Sequence, residues 1–209
     1  MSELAAVVLA GGSARRLSGV DKPMLDVGGM PLLHRVLAAV AGAAPVVVVG
    51  PERDGIAGVV WAREDPPGGG PVAALAAGLR HVHTPLVAVL AGDLAGLAPS
   101  TVERLRAATS GADGADGAVL VDEDGRRQWL IGVWRTASLR RALPADPHGA
   151  ALRRVLGHLV VAGLPAAPGE CADVDTPEDL HRLAGPRDGA VVTPHDPDRR
   201  GWSSQPSHR

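Results

Sequence analysis

The stretch LAGGSARRLSGVDKPML, residues 9–25, gathers small residues, Arg15, Arg16, Asp21 and Lys22 behind an apolar run. The small side chains from Ala10 to Ala14 let backbone N–H groups approach an anion, and Arg15, Arg16 and Lys22 supply opposing charge. That chemistry suits a phosphate or polyphosphate. Two familiar phosphate loops are excluded by the order of residues. A Walker A loop needs Ser or Thr after its lysine, and Lys22 is followed by Pro23. The dinucleotide fingerprint needs Gly-x-Gly-x-x-Gly opening a helix, and GGSARRLSG lacks that spacing. A glycine-rich turn carrying solvated arginines is the alternative reading of the composition alone.

Further candidates lie downstream. Asp93 follows the buried run LVAVLAG, so its carboxylate belongs at the carboxyl edge of a sheet, where open α/β sheets bind ligands. That is a metal-ligand position; the competing role is a cap on the next helix, which is expected to begin only at Pro99 or Ser100. Asp173 and Asp175 alternate, which puts both side chains on one side of an extended strand, although Asp175 also suits a cap beside Thr176. In DPPGGGPVAAL, residues 65–75, consecutive glycines permit close backbone approach and Gly70-Pro71 leads into a helix. Asp65 can accept from a base N–H pair; a loop without function is the other reading. His34, His81, His83, His148 and His158 have no metal-ligand spacing and read as ordinary surface or core residues.

These residues must be positioned by an alternating α/β chain. The short apolar runs Leu4–Ala10, Pro45–Gly50, Val59–Ala62 and Leu86–Ala91 suit parallel strands buried on both faces. Between them Leu32, Leu33, Val36, Leu37 and Val40 form one helical stripe, and Val72, Leu75, Ala76 and Leu79 another. A doubly wound, mostly parallel sheet follows. GAVLVDEDGRRQWLIGVWR, residues 117–135, instead reads as two strands joined at Asp124-Gly125, a β-hairpin in the second half. Helices over Thr136–Ala142 and Ala150–Gly157, a strand near Leu159–Ala162 and a helix from Pro177 to about Gly185 complete the expectation. Residues 185–209 are rich in Pro, Asp, Arg and Ser without an apolar period, which predicts a disordered tail after a single domain over 1–184.

The 209 residues carry a formal net charge of −2, which argues against a nucleic-acid or anionic-membrane surface. Cys171 is the only cysteine, so neither an internal disulfide nor a thiolate zinc cluster can form, in keeping with a reducing cytoplasm. The N-terminal apolar run lacks a basic flank, unlike a signal peptide, and no stretch nears the roughly 20 apolar residues that span a bilayer.

The order Leu-Ala-Gly-Gly-x-x-Arg-Arg-x-x-Gly-x-Asp-Lys resembles the N-terminal signature of the molybdenum cofactor guanylyltransferases, within the nucleotidyltransferases that share a Rossmann-like, glycosyltransferase-A fold. The resemblance continues in order through GMPLLHRVL, EDPPGGGPVAALAAGL, VAVLAGDLAGL and DVDTPEDL, covering residues 4–184. It implies a Mg²⁺-dependent enzyme that transfers GMP from GTP to molybdopterin and releases pyrophosphate. Leu9, Ala10, Gly11 and Gly12 would then face the nucleotide, Arg15 and Arg16 the β and γ phosphates, and Lys22 the transferring phosphoryl group. Asp93 and Asp175 would bind Mg²⁺, and Asp65 and Gly70 would belong to the base and ribose loop. RRQWLIGVWR resembles the acceptor-side strand, with Arg126, Arg127 and Gln128 toward a pterin phosphate; Trp129 and Trp134 read as core before stacking platform. Molybdoenzymes or their chaperones are the macromolecular partners such an enzyme would meet. The chain departs from the guanylyltransferase pattern in two places. Asp173-Val-Asp175 replaces an Asn-x-Asn, as in cytidylyltransferase-like relatives, and VVGPERDG has no Asn. Another base or acceptor, such as CTP with a pterin or a sugar phosphate, therefore stays open, as does a non-catalytic nucleotide-binding protein.

Overall fold

The computed structural model describes residues 2–11 and 21–172. Its main sheet contains β1 (Leu4–Leu9), β4 (Val46–Val49), β5 (Val60–Ala62), β6 (Leu86–Ala91), β7 (Gly117–Val121), β8 (Arg127–Arg135) and β9 (Val161–Pro165). A two-stranded ribbon, β2 (Asp26–Val27) with β3 (Met30–Pro31), stands apart. The helices are α1 (Leu32–Ala39), α2 (Pro71–Leu79), α3 (Pro99–Gly111), α4 (Thr136–Ala142) and α5 (Leu152–Leu156).

The seven strands lie in the order β5-β4-β1-β6-β8-β7-β9. All pairings are parallel except those of β8, which is antiparallel to both β6 and β7. The expected hairpin therefore forms, and its strands complete the central sheet: β8 runs back between β6 and β7. Strand alternation splits the core into two layers. Ala6, Val8, Val48, Ala88 and Leu90 face α1 and α3 through Leu33, Val36, Val102 and Leu105. Ala5, Val7, Val47, Val49, Val87 and Val89 face α2, α4 and α5 through Val72, Leu75, Leu139 and Leu156. The result is a three-layer α/β/α domain in which β1, β4 and β6 are buried on both sides, as their unbroken apolar runs imply, whereas β5, also expected to be buried, is an edge strand with Val60 38% exposed and Trp61 and Ala62 half-buried.

Expected elements moved little. The last strand starts at Val161 rather than Leu159, because the Leu159 N–H is spent closing a turn on the Leu156 carbonyl (3.1 Å). The helix expected over Ala150–Gly157 is shorter, Leu152–Leu156, while α4 has its expected bounds and α3 begins at Pro99. The helix after Pro177 and the tail 185–209 lie outside the described residues, as do Gly12, Arg15, Arg16, Asp173 and Asp175. No helix among the described residues is long and apolar enough to cross a membrane.

Candidate active site

The parallel strands β5, β4, β1 and β6 end on one edge of the sheet, and so does the start of the antiparallel β8. On that edge β1 runs out at Leu9, and Ala10 is clamped by its neighbours: its N–H donates to the Val49 carbonyl (2.9 Å), while the Gly92 N–H donates to the Leu9 carbonyl (2.9 Å). A Cβ on Gly92 would stand 2.9 Å from the Ala10 Cβ, so only glycine lets the β6 exit pass this close to β1. The backbone groups of Ala10 and the Leu9 carbonyl are thus spent within the protein, Ala10 is buried, and Gly11 is the first exposed residue of the run.

Lys22 opens a 3-10 turn over Lys22–Met24, with Pro23 buried beneath it. The turn runs into the β2–β3 ribbon and then α1, and Leu25, Val27 and Leu32 pack together with Ala95, two residues beyond Asp93. This small apolar cluster ties the lysine's segment to the aspartate's loop. Its product is an ion pair: Lys22 Nζ stands 3.6 Å from Asp93 Oδ2, with each side chain about a quarter exposed. Asp93 is not a helix cap, since Ala98 occupies the N-cap of α3 without a side-chain bond. The structure thus brings Lys22 and Asp93 together at the carboxyl edge of the sheet.

A second clasp holds the Asp93 loop from the opposite side. The Ala95 N–H donates to the Ala172 carbonyl (2.9 Å), and a Cβ on Gly96 would collide with the Gly169 carbonyl. Glu170, 6% exposed, secures this contact. It accepts from the Thr101 hydroxyl, from Arg104 Nη1 (2.9 Å) and from the Ala167 N–H (2.7 Å). The segment Gly169–Ala172 is thereby held against the loop that carries Asp93. Nothing in the sequence marks Glu170 except that it is a carboxylate just ahead of Asp173 and Asp175.

Asp65 and Gly70 lie farther along the same edge, beyond β5. Gly70 has φ +86°, a left-handed conformation that a side chain would strain, and its carbonyl accepts the first α2 bond from the Ala74 N–H (3.0 Å). Asp65 is exposed and makes no hydrogen bond or ion pair among the described residues. The loop leans on the α4–α5 connection, where the Gly149 N–H donates to the Gly69 carbonyl (2.8 Å).

On the other flank, β6 and β8 pair up to Leu90 and Ile131, so residues before Ile131 lie beside those that follow Leu90. Gly125, Arg126, Arg127, Gln128 and Trp129 line an open groove of about 790 Å³ with Arg153 and Gly157 of the α5 end. Trp134 is wholly buried, as expected of a core residue. Trp129 does both jobs: it stacks on Trp134 (6.2 Å between centroids, 21° between planes), and the Arg127 guanidinium lies 5.8 Å from its ring centre. Gln128 is less available than its sequence position implies, because its amide donates to Asp122 Oδ2 (2.6 Å). The Arg126 N–H (2.8 Å), ahead of the Gln128 amide, holds the Asp122 carboxyl below its ordinary range and so fixes the turn. Arg153 was not singled out from sequence; only its place beside Arg154 in an otherwise apolar helix hints at it.

Among the described residues no three His, Cys, Asp or Glu side chains converge on a metal position. Asp93 offers one carboxylate, a hard oxygen donor suited to a cation that takes most of its ligands from water and phosphate.

Residues 6–163 match the family model described as the MobA-like NTP transferase domain. The chain belongs to this family. A probable molybdenum cofactor guanylyltransferase from Natronomonas pharaonis is 32% identical over 87% of this chain and 97% of that protein. The molybdenum cofactor guanylyltransferase of Rhodobacter capsulatus is 31% identical over 86% and 94%. Among solved structures, molybdopterin-guanine dinucleotide biosynthesis protein A from Archaeoglobus fulgidus superposes with a TM-score of 0.69 at 21% identity, covering 86% of this chain and 96% of that one. The 2-C-methyl-D-erythritol 4-phosphate cytidylyltransferase of Thermus thermophilus superposes with a TM-score of 0.66 at 22% identity, covering 85% and 96%. These two agree with the MobA-like fold, a mostly parallel sheet with flanking helices. The chain is a MobA-like nucleotidyltransferase, and the edge bearing Lys22 and Asp93 is the candidate active site of that fold.

Proposed function

We propose that this nucleotidyltransferase transfers GMP from GTP to molybdopterin. The observation that carries the reading is the Lys22–Asp93 pair, 3.6 Å apart at the carboxyl edge of the sheet, in a chain whose full-length relatives at 31–32% identity are named as guanylyltransferases. A terminal phosphate oxygen of the acceptor attacks the α-phosphorus of GTP, the new P–O bond forms as the bond to the β-phosphate oxygen breaks, and pyrophosphate departs in line. Negative charge on the phosphoryl oxygens is what must be stabilised, so placement of cations does most of the work.

Lys22 supplies a fixed ammonium beside the α-phosphate, while Leu9, Ala10 and the exposed Gly11 keep their sequence-based assignment to the nucleotide, the small residues letting the triphosphate lie close to the sheet. Arg15 and Arg16 retain their sequence-based assignment to the β and γ phosphates, with Gly12 beside the nucleotide. Asp65 and the backbone around Gly70 take the base and ribose. Asp93, with Asp175, would hold Mg²⁺, which when bound adds positive charge across the phosphates. The Arg126, Arg127 and Arg153 groove takes the anionic acceptor, and the half-buried Trp129 ring suits a flat pterin.

The test is pyrophosphate release by purified protein given each nucleoside triphosphate separately, with molybdopterin and Mg²⁺. GTP is expected to support turnover at least tenfold above the others. Preference for CTP would overturn the guanylyl assignment, and no release with any nucleotide would favour a non-catalytic binding protein. Omission of Mg²⁺ with chelator present should abolish release; undiminished turnover would overturn the metal assignment.

A further inference from the structure

The nucleotide loop leaves the sheet at Ala10–Gly11 and returns at Asp21, directly before Lys22. Both ends meet at one side chain that lies outside the loop. Arg53, in the turn after β4, donates through Nε to Asp21 Oδ2 (2.7 Å) and through Nη2 to Asp21 Oδ1 (2.7 Å). The same Nη2 donates to the Ala10 carbonyl (2.9 Å), and Nη1 to the Pro51 carbonyl (3.2 Å). The guanidinium is nearly removed from solvent, its side chain 7% exposed, whereas Asp21 is 48% exposed. A planar fork with five donors can grip a carboxylate bidentately and still reach a carbonyl; a lysine ammonium cannot reproduce that geometry.

We infer that Arg53 is a positioning residue for nucleotide transfer: it staples the two ends of the nucleotide loop together and thereby sets where Lys22 stands relative to Asp93. The inference rests on the reading of residues 9–22 as the nucleotide loop. Asp21 is then the latch that fixes Lys22. Misplacing a catalytic cation by about 1 Å can cost on the order of 100-fold in rate, so a distant anchor of this kind has catalytic leverage.

The experiment compares wild type, Arg53→Lys, Asp21→Asn and the double variant. It measures GTP affinity by equilibrium dialysis without acceptor, kcat and the KM of each substrate by pyrophosphate release, and Tm. Arg53→Lys is expected to raise the GTP Kd and KM about 10-fold and to lower kcat/KM for GTP about 10- to 100-fold, with the acceptor KM unchanged within twofold. A merely structural defect would lower the active fraction, reducing kcat and leaving both KM values alone. The double variant should be no worse than the poorer single variant, because both substitutions break one linkage. Full activity of Arg53→Lys and Asp21→Asn, or additive losses in the double variant, would overturn the staple while leaving the nucleotide reading intact. Wild type that binds no nucleoside triphosphate would overturn that reading and the staple with it.

Discussion

At the scale of single residues, the site separates charge that acts from charge that holds. Lys22 and Asp93 are each about a quarter exposed and are held through neighbouring apolar contacts, so their removal should cost chemistry more than stability. Lys22→Ala is expected to lower kcat by about 10²- to 10³-fold with little change in Tm, since one preorganised cation at a developing charge is worth that much. Pyrophosphate release and a thermal melt check both halves; retention of a tenth of wild-type activity or more would count against the role. Arg153→Ala should raise the acceptor KM about fivefold and leave the GTP KM unchanged, because a partly solvated guanidinium contributes on the order of 1 kcal/mol to binding an anion. An effect on the GTP KM instead would move the acceptor away from the groove. Trp134 belongs to the opposite class, wholly buried and stacked on Trp129, and its loss would be felt as instability.

At the scale of elements, two carboxylates fasten loops and strands in the second half of the chain. Asp116, ahead of β7, accepts from the Ser138 hydroxyl (2.5 Å) at the start of α4 and from the Val160 N–H (2.9 Å) ahead of β9. The Ser138 bond first, then Val160 and the charges of Arg141 and Arg135, outweigh desolvation and hold its carboxyl below the ordinary 3.8. A folded-state value that is depressed means stabilisation present above about pH 4 and lost as pH falls through the folded value. Asp116→Asn should therefore lower stability by a constant amount from pH 5 to 8, and the gap to wild type should close below pH 4; urea melts across that range would read it. A gap that widened in acid would refute the assignment. Glu170→Ala should cost about 2–3 kcal/mol, since it strands Thr101, Arg104 and the Ala167 N–H around a buried gap. Its kcat should also fall, because the clasp on the Asp93 loop loosens; loss of stability with unchanged kcat would separate the clasp from catalysis. How far these elements were legible follows from where their signals reside. Strands β1, β4, β5 and β6 announce themselves as short apolar runs, and α3 and α4 by proline and hairpin context. Arg53 and Glu170 do not, because their value lies in partners 32 and 69 residues away that no local pattern links. The β2–β3 ribbon was also invisible, being two residues on each side of Gly28-Gly29.

At the scale of the whole molecule, one edge of the sheet gathers the Asp65–Gly70 loop beyond β5, the Lys22–Asp93 pair over β1 and β6, and the Arg126–Arg153 groove at the start of β8, which the proposed function would assign to base, phosphates and acceptor in turn. The doubly wound half could be read from sequence because β1, β5 and β6 each lead on to a helix, with the apolar stripes of α1 and α2 marking the alternation, although β4 passes to β5 with no helix between them. The second half was legible as a hairpin, but not that β8 would take the place between β6 and β7, since register with β6 is decided by tertiary pairing rather than by the turn. Of the departures from the guanylyltransferase pattern, Asp173 and Asp175 lie outside the described residues, and the stretch 48–55 contains Arg53, which links Asp21 to Ala10.

The placement of β8 has a consequence for how the chain reaches this structure during synthesis. β6 sits at the centre of the finished sheet, yet one of its two edges has no partner until residues 127–135 have been made. Until then a strand of six apolar residues, Leu86–Ala91, presents an unpaired row of backbone donors and acceptors, a template for pairing with another chain. Pairings between segments so far apart in the chain also close slowly. A fragment ending at residue 112 should accordingly bind strand-specific dyes and precipitate at micromolar concentration, whereas one ending at residue 172 should stay monomeric by light scattering. A monomeric, soluble 112-residue fragment would show that the β6 edge is protected by some other means before β8 arrives.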